Sequence, residues 1–303
     1  MRRMPAFWKP LLICLLLASA AAHADADASG NLAGLARFLD NSTPAPNRKA
    51  IFDVWTKSAL AGDVDAQYLV GTIYRRGDSI EPHVVERDVD QARRYLSTAA
   101  AHGRLLAMAK MAEIELAEDR PLEAMIWAQI YGAYRGWVGT DTRDYGPKNE
   151  RQPTLYFEDL LRRVSSRLAQ KLGDAKTADV LAGLNQFVAQ HDQEVRAQLQ
   201  REGLAPRWTG RQVKYENAKS MKRVGVSLHN TVSEWVLVFA ADGSVESAEV
   251  LDAIPEFIYA NGHHGLVTQY RAAQAEKSTG PRFALKVVDL RKADWPLGPT
   301  LAH

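Results

Sequence analysis

The segment QARRYLSTAAAHG, residues 91–103, has the pattern of a helix that ends in glycine, and the segment KAIFDVWTKSALAG, residues 49–62, repeats that pattern. When the two segments are aligned on Gly62 and Gly103, which are 41 residues apart, Trp55 falls opposite Leu96. Glycine commonly supplies the left-handed residue that ends a helix. A period of this length predicts helical hairpins that stack as a solenoid, because one hairpin cannot bury its own apolar face.

Alanines and large aromatic residues alternate through the same region. Alanine at a contact position lets two helices approach closely, and aromatic residues such as Tyr68 and Trp127 can fill the space between successive hairpins. We therefore expect residues 25–138 to form alanine-rich helical repeats. An ordinary helical bundle is the alternative, since helices rich in alanine occur in many folds.

Small and aromatic positions in this region follow the spacing of a known repeat: Ala66, Val70, Gly71, Tyr74, Gly77, Asp88, Ala92, Tyr95, Ala99, Ala100 and Gly103. The set resembles the Sel-one-like repeat, a relative of the tetratricopeptide repeats, over roughly residues 47–138. The next copy departs from the repeat, with Ala112 and Glu115 where glycine and tyrosine belong. The resemblance implies a scaffold that binds a protein or peptide. The partner-binding residues that we predict on its surface are Tyr74, Arg75, Arg76, Arg93 and Arg94.

Residues 139–203 are predicted to form a polar loop followed by two capping helices. The stretch 139–153 contains Gly146-Pro147 and few large apolar residues, which is typical of a loop. Apolar residues then recur at helical spacing from Phe157 to Leu172 and again from Val180 to Leu199. A repeat array needs a terminal element with a polar outer face, and these two helices suit that role.

The last hundred residues, 204–303, change to the period of strands. Asp242-Gly243 is a strong hairpin signal between two apolar runs. The predicted order is strand, hairpin, helix and strand, so the chain as a whole is expected to be an α+β protein with a small C-terminal α+β domain. The predicted segments are strands at 224–228, 235–239, 245–251 and 283–288, with a helix within 256–275.

The run EWVLVFAADGSVESAEVL, residues 234–251, resembles the C-terminal domain of the TonB energy-transducer family, and the resemblance extends over about residues 213–290. Tyr270-Arg271 corresponds to the aromatic-arginine pair that ends the helix in that family. Tyr215-Glu216 lacks the proline of the family's early motif, and no proline-rich spacer precedes the domain. The resemblance therefore implies the fold and a tendency to pair strands or bind peptides, not energy transduction. We expect this domain to fold alone, with Trp235 and Phe239 on one face of its core.

Residues 1–24 have the three parts of a secretory signal peptide. Arg2, Arg3 and Lys9 are basic, residues 11–20 form a short apolar run, and Ala22-His23-Ala24 fits a cleavage site before Asp25. The run is too short for a membrane anchor, so we predict a periplasmic or secreted protein without a membrane span. Cleavage removes Cys14, the one cysteine, and no disulfide or thiolate site is expected in the mature chain.

Composition and motifs exclude several function classes. The 303 residues include 38 Lys+Arg and 36 Asp+Glu, a balance that gives no electrostatic case for binding nucleic acid. No nucleophile-elbow, zincin, P-loop or Rossmann motif is present in the sequence. His263-His264 are expected to be exposed in a loop, and Glu113, Glu115, Glu118 and Asp119 to form a solvated helix face. The polar loop residues 141–145 are expected to be a plain connector.

These observations predict a non-catalytic protein of the cell envelope, without metal or cofactor, that binds protein or peptide partners through its repeats and its C-terminal domain. Two alternatives stay open at this point. One is a regulator or enzyme that acts on peptidoglycan, which a pocket with two convergent carboxylates would favour. The other is a structural accessory of an envelope assembly.

Overall fold

The computed structural model describes residues 32–77, 84–136, 154–172, 176–202, 215–217, 230–256, 260–272 and 281–289. This part of the chain is mostly helical, with a small antiparallel sheet towards the C-terminus, so the α+β prediction is confirmed at that level. Its helices are α1 (Leu32–Leu39), α2 (Ala45–Leu60), α3 (Val64–Arg76), α4 (Val89–Ala101), α5 (Leu105–Ala117), α6 (Pro121–Arg135), α7 (Leu155–Leu172), α8 (Thr177–Glu202) and α9 (Asn261–Val267). Its strands are β1 (Tyr215–Asn217), β2 (Val232–Phe239), β3 (Val245–Ile254), β4 (Tyr270–Ala272) and β5 (Arg282–Asp289).

The two glycines that define the predicted period lie at helix ends. Gly62, between α2 and α3, has φ +94°, and Gly103, between α4 and α5, has φ +86°. Both angles are in the left-handed region, where a side chain would be strained. The next helix after Gly62 begins with a side-chain cap, because the Asp63 carboxylate accepts a hydrogen bond from the Ala66 N–H at 2.9 Å.

Helices α3 and α4 pack closely because small residues lie between them. A Cβ added to Gly71 would lie 2.8 Å from Leu96 Cγ, so glycine is required for this approach. Ala92 and Ala99 on α4 are fully buried in the same cluster as α5 and α6. The small residues of the predicted pattern are therefore core contacts in the structure.

Ala92→Leu is expected to lower the free energy of unfolding by about 1–3 kcal/mol, since extra methylenes in a packed core force side chains and backbone to shift. Ala92 is 0% exposed, so no solvent-facing rotamer relieves the clash. Thermal or urea unfolding of the full chain measures the change. Ala50→Leu on the exposed side of α2 is the matched control. Equal stability of both variants would contradict the assigned packing.

The predicted helices near 157–172 and 180–199 are present as α7 and α8, and both pack against α6. Tyr156, Leu160 and Val164 are the buried residues of α7. At the contact with α6, a Cβ on Gly132 would lie 2.3 Å from the Phe157 ring. The predicted polar loop, residues 139–153, lies outside the described residues.

The central sheet is antiparallel with strand order β3-β2-β5, and β1 pairs with β4 in a second, two-stranded sheet. The predicted Asp242-Gly243 hairpin joins β2 to β3, with Gly243 at φ +86° and the Asp242 carboxylate accepting from the Ser244 N–H at 2.8 Å. The predicted strand at 283–288 is β5. In the described part of segment 256–275, where one helix is predicted, the helix α9 ends at Val267 and the strand β4 follows it. The predicted strand at 224–228 lies outside the described residues.

Both faces of β2 are covered. Trp235, Leu237 and Phe239 pack with α9 and β4 in one cluster, as the alternation predicts. Val236, on the other face, belongs to a cluster built mostly from α1 to α4, and Val232 to the cluster built around α5 and α6. One face of the sheet therefore shares its core with the helices, and the other face forms a cluster of its own with α9 and β4.

Candidate functional site

Helix α5 lies at the centre of the junction between the helices and the sheet. All residues from Leu105 to Glu115 are buried, although a helix in a stacked array normally keeps one face open to solvent. The sheet supplies the missing cover, because Val232 and Ile254 pack in the same cluster as α5. A helix surface that could otherwise receive a partner is thus covered by the protein's own strands.

A buried lysine holds this junction together. Lys110 Nζ lies 2.5 Å from Glu234 Oε2 on β2 and 3.0 Å from Asp252 Oδ2 on β3. The same ammonium donates to Tyr68 Oη at 2.8 Å and to Thr72 Oγ1 at 2.9 Å. Each of the three charged side chains is at most 2% exposed, so the pairing compensates charges that have lost their hydration.

The tyrosine at this cluster is a donor. Tyr68 Oη donates to Glu234 Oε1 at 2.7 Å. Burial, together with the neighbouring Glu234 carboxylate, raises the pKa of Tyr68 well above its usual value. The phenol therefore keeps its proton at physiological pH and adds a hydrogen bond, not a charge.

Arg75 on α3 forms a fork with Asp252 on β3. Its Nη2 pairs with Asp252 Oδ1, its Nε lies 3.2 Å from Asp252 Oδ2, and Nη2 also donates to the Ala253 carbonyl at 2.9 Å. Burial alone would raise the pKa of Asp252, but the charges of Arg75 and Lys110 outweigh it and lower that pKa. Asp252 is therefore ionised throughout the neutral range.

Arg76 fills a bulge at the outer edge of β3. Trp235 pairs with Val250 and Glu234 with Asp252, which leaves Leu251 as the extra residue of the bulge. The carbonyls of Val250 and Leu251 accept hydrogen bonds from Arg76 Nη1 at 2.7 and 2.5 Å. Burial lowers the pKa of Arg76 to about 10, which still leaves it charged at neutral pH. The arginine thus covers an edge that would otherwise be open to strand pairing.

The predicted partner-binding residues are not one continuous free surface. Arg75 and Arg76 contact β3, as described above. Arg93 pairs with Glu115 at 2.9 Å and with Asp90 at 2.6 Å. Tyr74 is half-buried against Phe52 and Tyr95, and the exposed Arg94 lies 4.5 Å above the Tyr95 ring.

Two expectations about charged helix residues are wrong. Glu113 and Glu115 are buried, not solvated, because α7 and α4 cover their side of α5. Glu113 pairs with Arg163 and accepts from Tyr156 Oη at 2.9 Å, and Glu115 pairs with Arg93. Nearby Glu118 is exposed, as expected.

His263 is also not in the exposed loop that the sequence predicts. It lies on α9, is 1% exposed, and its Nδ1 is 2.6 Å from Ser233 Oγ. Trp235 Nε1 donates to the same Ser233 Oγ at 2.7 Å, so the serine hydroxyl links the indole to the imidazole. His264 is exposed, as expected. The serine and the histidine together are a core contact and not an open catalytic pair.

The direction of the backbone groups identifies the outer edge of β5. The Ala240 N–H donates to the Ser244 carbonyl. The backbone N–H and carbonyl groups of even-numbered residues at this end of β2 therefore point towards β3, and those of odd-numbered residues point towards β5. The β2–β3 pairing has two bulges, and in both the extra residue lies on β3. The backbone groups of β2 therefore alternate in direction along the whole strand. Trp235 pairs with Lys286, so the Lys286 backbone faces β2 and that of Val287 faces outward. Among the described residues, no strand pairs with that outer edge.

The chemistry available at the junction is limited. The space between Lys110, Glu234 and Asp252 does not admit a water molecule, so this cluster of charges is not a substrate cleft. Within the described ranges no group of three or more metal-ligating side chains occurs. None of the described helices is both long enough and apolar enough to span a membrane. No family model matches the chain, and no curated protein or solved structure matches it either.

Proposed function

We propose that the protein is a non-catalytic binding protein of the cell envelope, and that it takes up an extended segment of a partner protein along the outer edge of β5. The helices act as a Sel-one-like scaffold and the strands as a TonB-like C-terminal module. The envelope assignment depends on the targeting pattern of residues 1–24. The single observation that supports binding is the β5 edge, whose outward backbone groups have no strand partner in the described part of the chain.

Strand addition suits this edge for a physical reason. Main-chain hydrogen bonds supply affinity in this mode, and side chains on alternate positions supply specificity. Phe283, Leu285 and Val287 direct their N–H and carbonyl groups outward by the alternation established above. An eight-residue strand offers enough of these groups for a short peptide to pair with.

The opposite edge of the sheet is less available. Arg75 and Arg76 already bind the outward carbonyls of β3 from Val250 to Ala253. An added strand on that side would have to displace two buried guanidinium groups from their acceptors. A buried guanidinium group that loses its acceptors raises the free energy of the complex, so we expect strand addition at β5.

The β5 edge is also rigidly supported. Ala284, Leu285 and Val288 are at most 3% exposed and pack on the two faces of the sheet. At the far end, Arg135 of α6 pairs with Asp289 at 3.1 Å. A preorganised edge loses little conformational freedom when a peptide is added, and this favours affinity.

Val287→Pro tests the proposal, because it removes one outward N–H without touching the ladder to β2, a place where proline is tolerated. A peptide library displayed on phage is selected against the mature full-length chain. The selected peptides are expected to bind Val287→Pro at least about tenfold more weakly. A loss of this size corresponds to one hydrogen bond between neutral backbone groups, together with weaker hydrogen bonds on either side of it. Isothermal titration measures the affinity, and thermal unfolding checks that the variant is folded.

Ala248→Pro, at an outward position of β3, is the matched control and should keep the affinity of the wild type. If the selected peptides bind Val287→Pro and the wild type equally, β5 is not the acceptor. A library that yields no extended peptide would contradict the proposal as well.

A further inference from the structure

Helices α6, α7 and α8 enclose a cleft that the described chain leaves unfilled. The cleft has a volume of about 520 Å³ and lies where the end of α7 and the start of α8 diverge on α6. The volume falls within the range of about 300–1,000 Å³ that is typical of small-molecule sites.

The walls of the cleft are mainly apolar. Met125 of α6, Leu168 and Ala169 of α7, and Val180 and Leu181 of α8 line it. Leu181 is 51% exposed, and Leu172, one turn beyond Leu168 on α7, is 40% exposed. Few large apolar residues in the described chain are so exposed, and one of them, Leu181, lines this cleft. An apolar ligand would cover Leu181 and gain the free energy of its burial.

A single charge faces the cleft. Lys176 is the one charged residue among the described residues that line it. Its partner is Asp179 at 2.9 Å, and both side chains are well exposed, which makes their pair weak. Ser165 and Thr177 add hydroxyl groups to the lining. A negatively charged group can therefore be held by Lys176 at the mouth.

The extent of the cleft decides between a small ligand and a protein helix. Its lining spans little more than one turn of each wall, from Ser165 to Ala169 on α7 and from Thr177 to Leu181 on α8. A helix docked in a groove uses anchors spread over at least two turns. We propose that the cleft binds a single-chain amphiphile with an anionic head group, such as a long-chain fatty acid, with the chain on the apolar walls and the carboxylate on Lys176.

Titration of the mature full-length chain tests this, with dodecanoate displacing a dansyl-labelled undecanoic acid below the micellar concentration. The wild type is expected to bind dodecanoate saturably at one site. Ala169→Trp places an indole in the cleft and should abolish that binding. Ala189→Trp, on an exposed side of α8 that does not line the cleft, is the matched control and should bind as the wild type does.

Lys176→Gln tests the contact with the anionic head group separately from the contacts with the apolar chain. It should weaken dodecanoate binding by about tenfold, as expected for the loss of one charge-assisted hydrogen bond, and leave dodecanol binding unchanged. Binding that Ala169→Trp does not reduce, or the absence of saturation, would overturn the proposal. Self-association of the wild type that Ala169→Trp abolishes would assign the cleft to a second copy of the chain instead. None of these outcomes depends on the β5 edge.

Discussion

Lys110→Met is expected to lower the free energy of unfolding by about 3–5 kcal/mol, which is the usual effect of removing one partner from a buried ion cluster. The variant leaves Glu234 without its ammonium partner and removes one of the three positive charges, those of Arg75, Lys110 and Arg76, that lower the pKa of Asp252. The methionine matches the shape of the lysine stem, so lost packing contributes little. Urea unfolding at neutral pH measures the loss.

The pH dependence of that loss has a definite sign. In the wild type the pKa of Asp252 is lowered, so its contribution to stability is complete above the unfolded value of about 4 and is lost as pH falls through the folded pKa. Without Lys110 the folded protein takes up a proton at this site more readily. The difference between Lys110→Met and the wild type should therefore shrink as the pH is lowered towards that range.

Two controls separate charge from general destabilisation. Lys57→Met, at an exposed position of α2, should change stability by no more than about 0.5 kcal/mol. Adding Glu234→Gln to Lys110→Met should restore part of the loss, because a neutral amide can stay buried beside Tyr68. A Lys110→Met variant as stable as Lys57→Met would show that the cluster does not hold the junction.

The parts of the fold that the sequence predicts well are those specified by neighbouring residues. Gly62 and Gly103 end helices because only a residue without a side chain adopts their φ freely. Asp242-Gly243 turns β2 into β3 for the same reason, aided by the Asp242 side chain. Such signals lie within a few residues of the structure that they produce.

The junction is less accessible to sequence reasoning because its partners are far apart in the chain. Lys110 and Glu234 are separated by 124 positions, and Arg75 and Asp252 by 177. A local signal nevertheless exists, since a lone lysine in the apolar segment LLAMAKMA requires a buried acid somewhere in the fold. The expectation that Glu113 is exposed is wrong for a similar reason, because the helix that covers it, α7, begins more than forty residues later.

The fragment from Arg211 to His303 is expected to stay unfolded alone, which reverses the expectation from sequence. One face of its sheet packs on the helices through Val236, Leu251 and Leu285. Alone, the fragment would expose that apolar face together with Asp252, whose cationic partners all lie on the helices. Exposure of this apolar face and of an unpaired carboxylate removes free energy that the intact chain gains by burying and pairing them.

Mixing the fragment with residues 25–210 should restore a cooperative melt and the burial of Trp235, which is 1% exposed in the intact chain. Tryptophan fluorescence and near-ultraviolet circular dichroism follow both changes. Residues 25–210 carrying Lys110→Met should recover the fragment less well, since the mixed complex then lacks the charge that Glu234 requires. A cooperative melt of the fragment alone would instead establish an independent domain, and the junction would be a contact between two folded units. Because the shared core places Val232 among residues of α5 and α6, we expect the helices and the sheet to unfold as one.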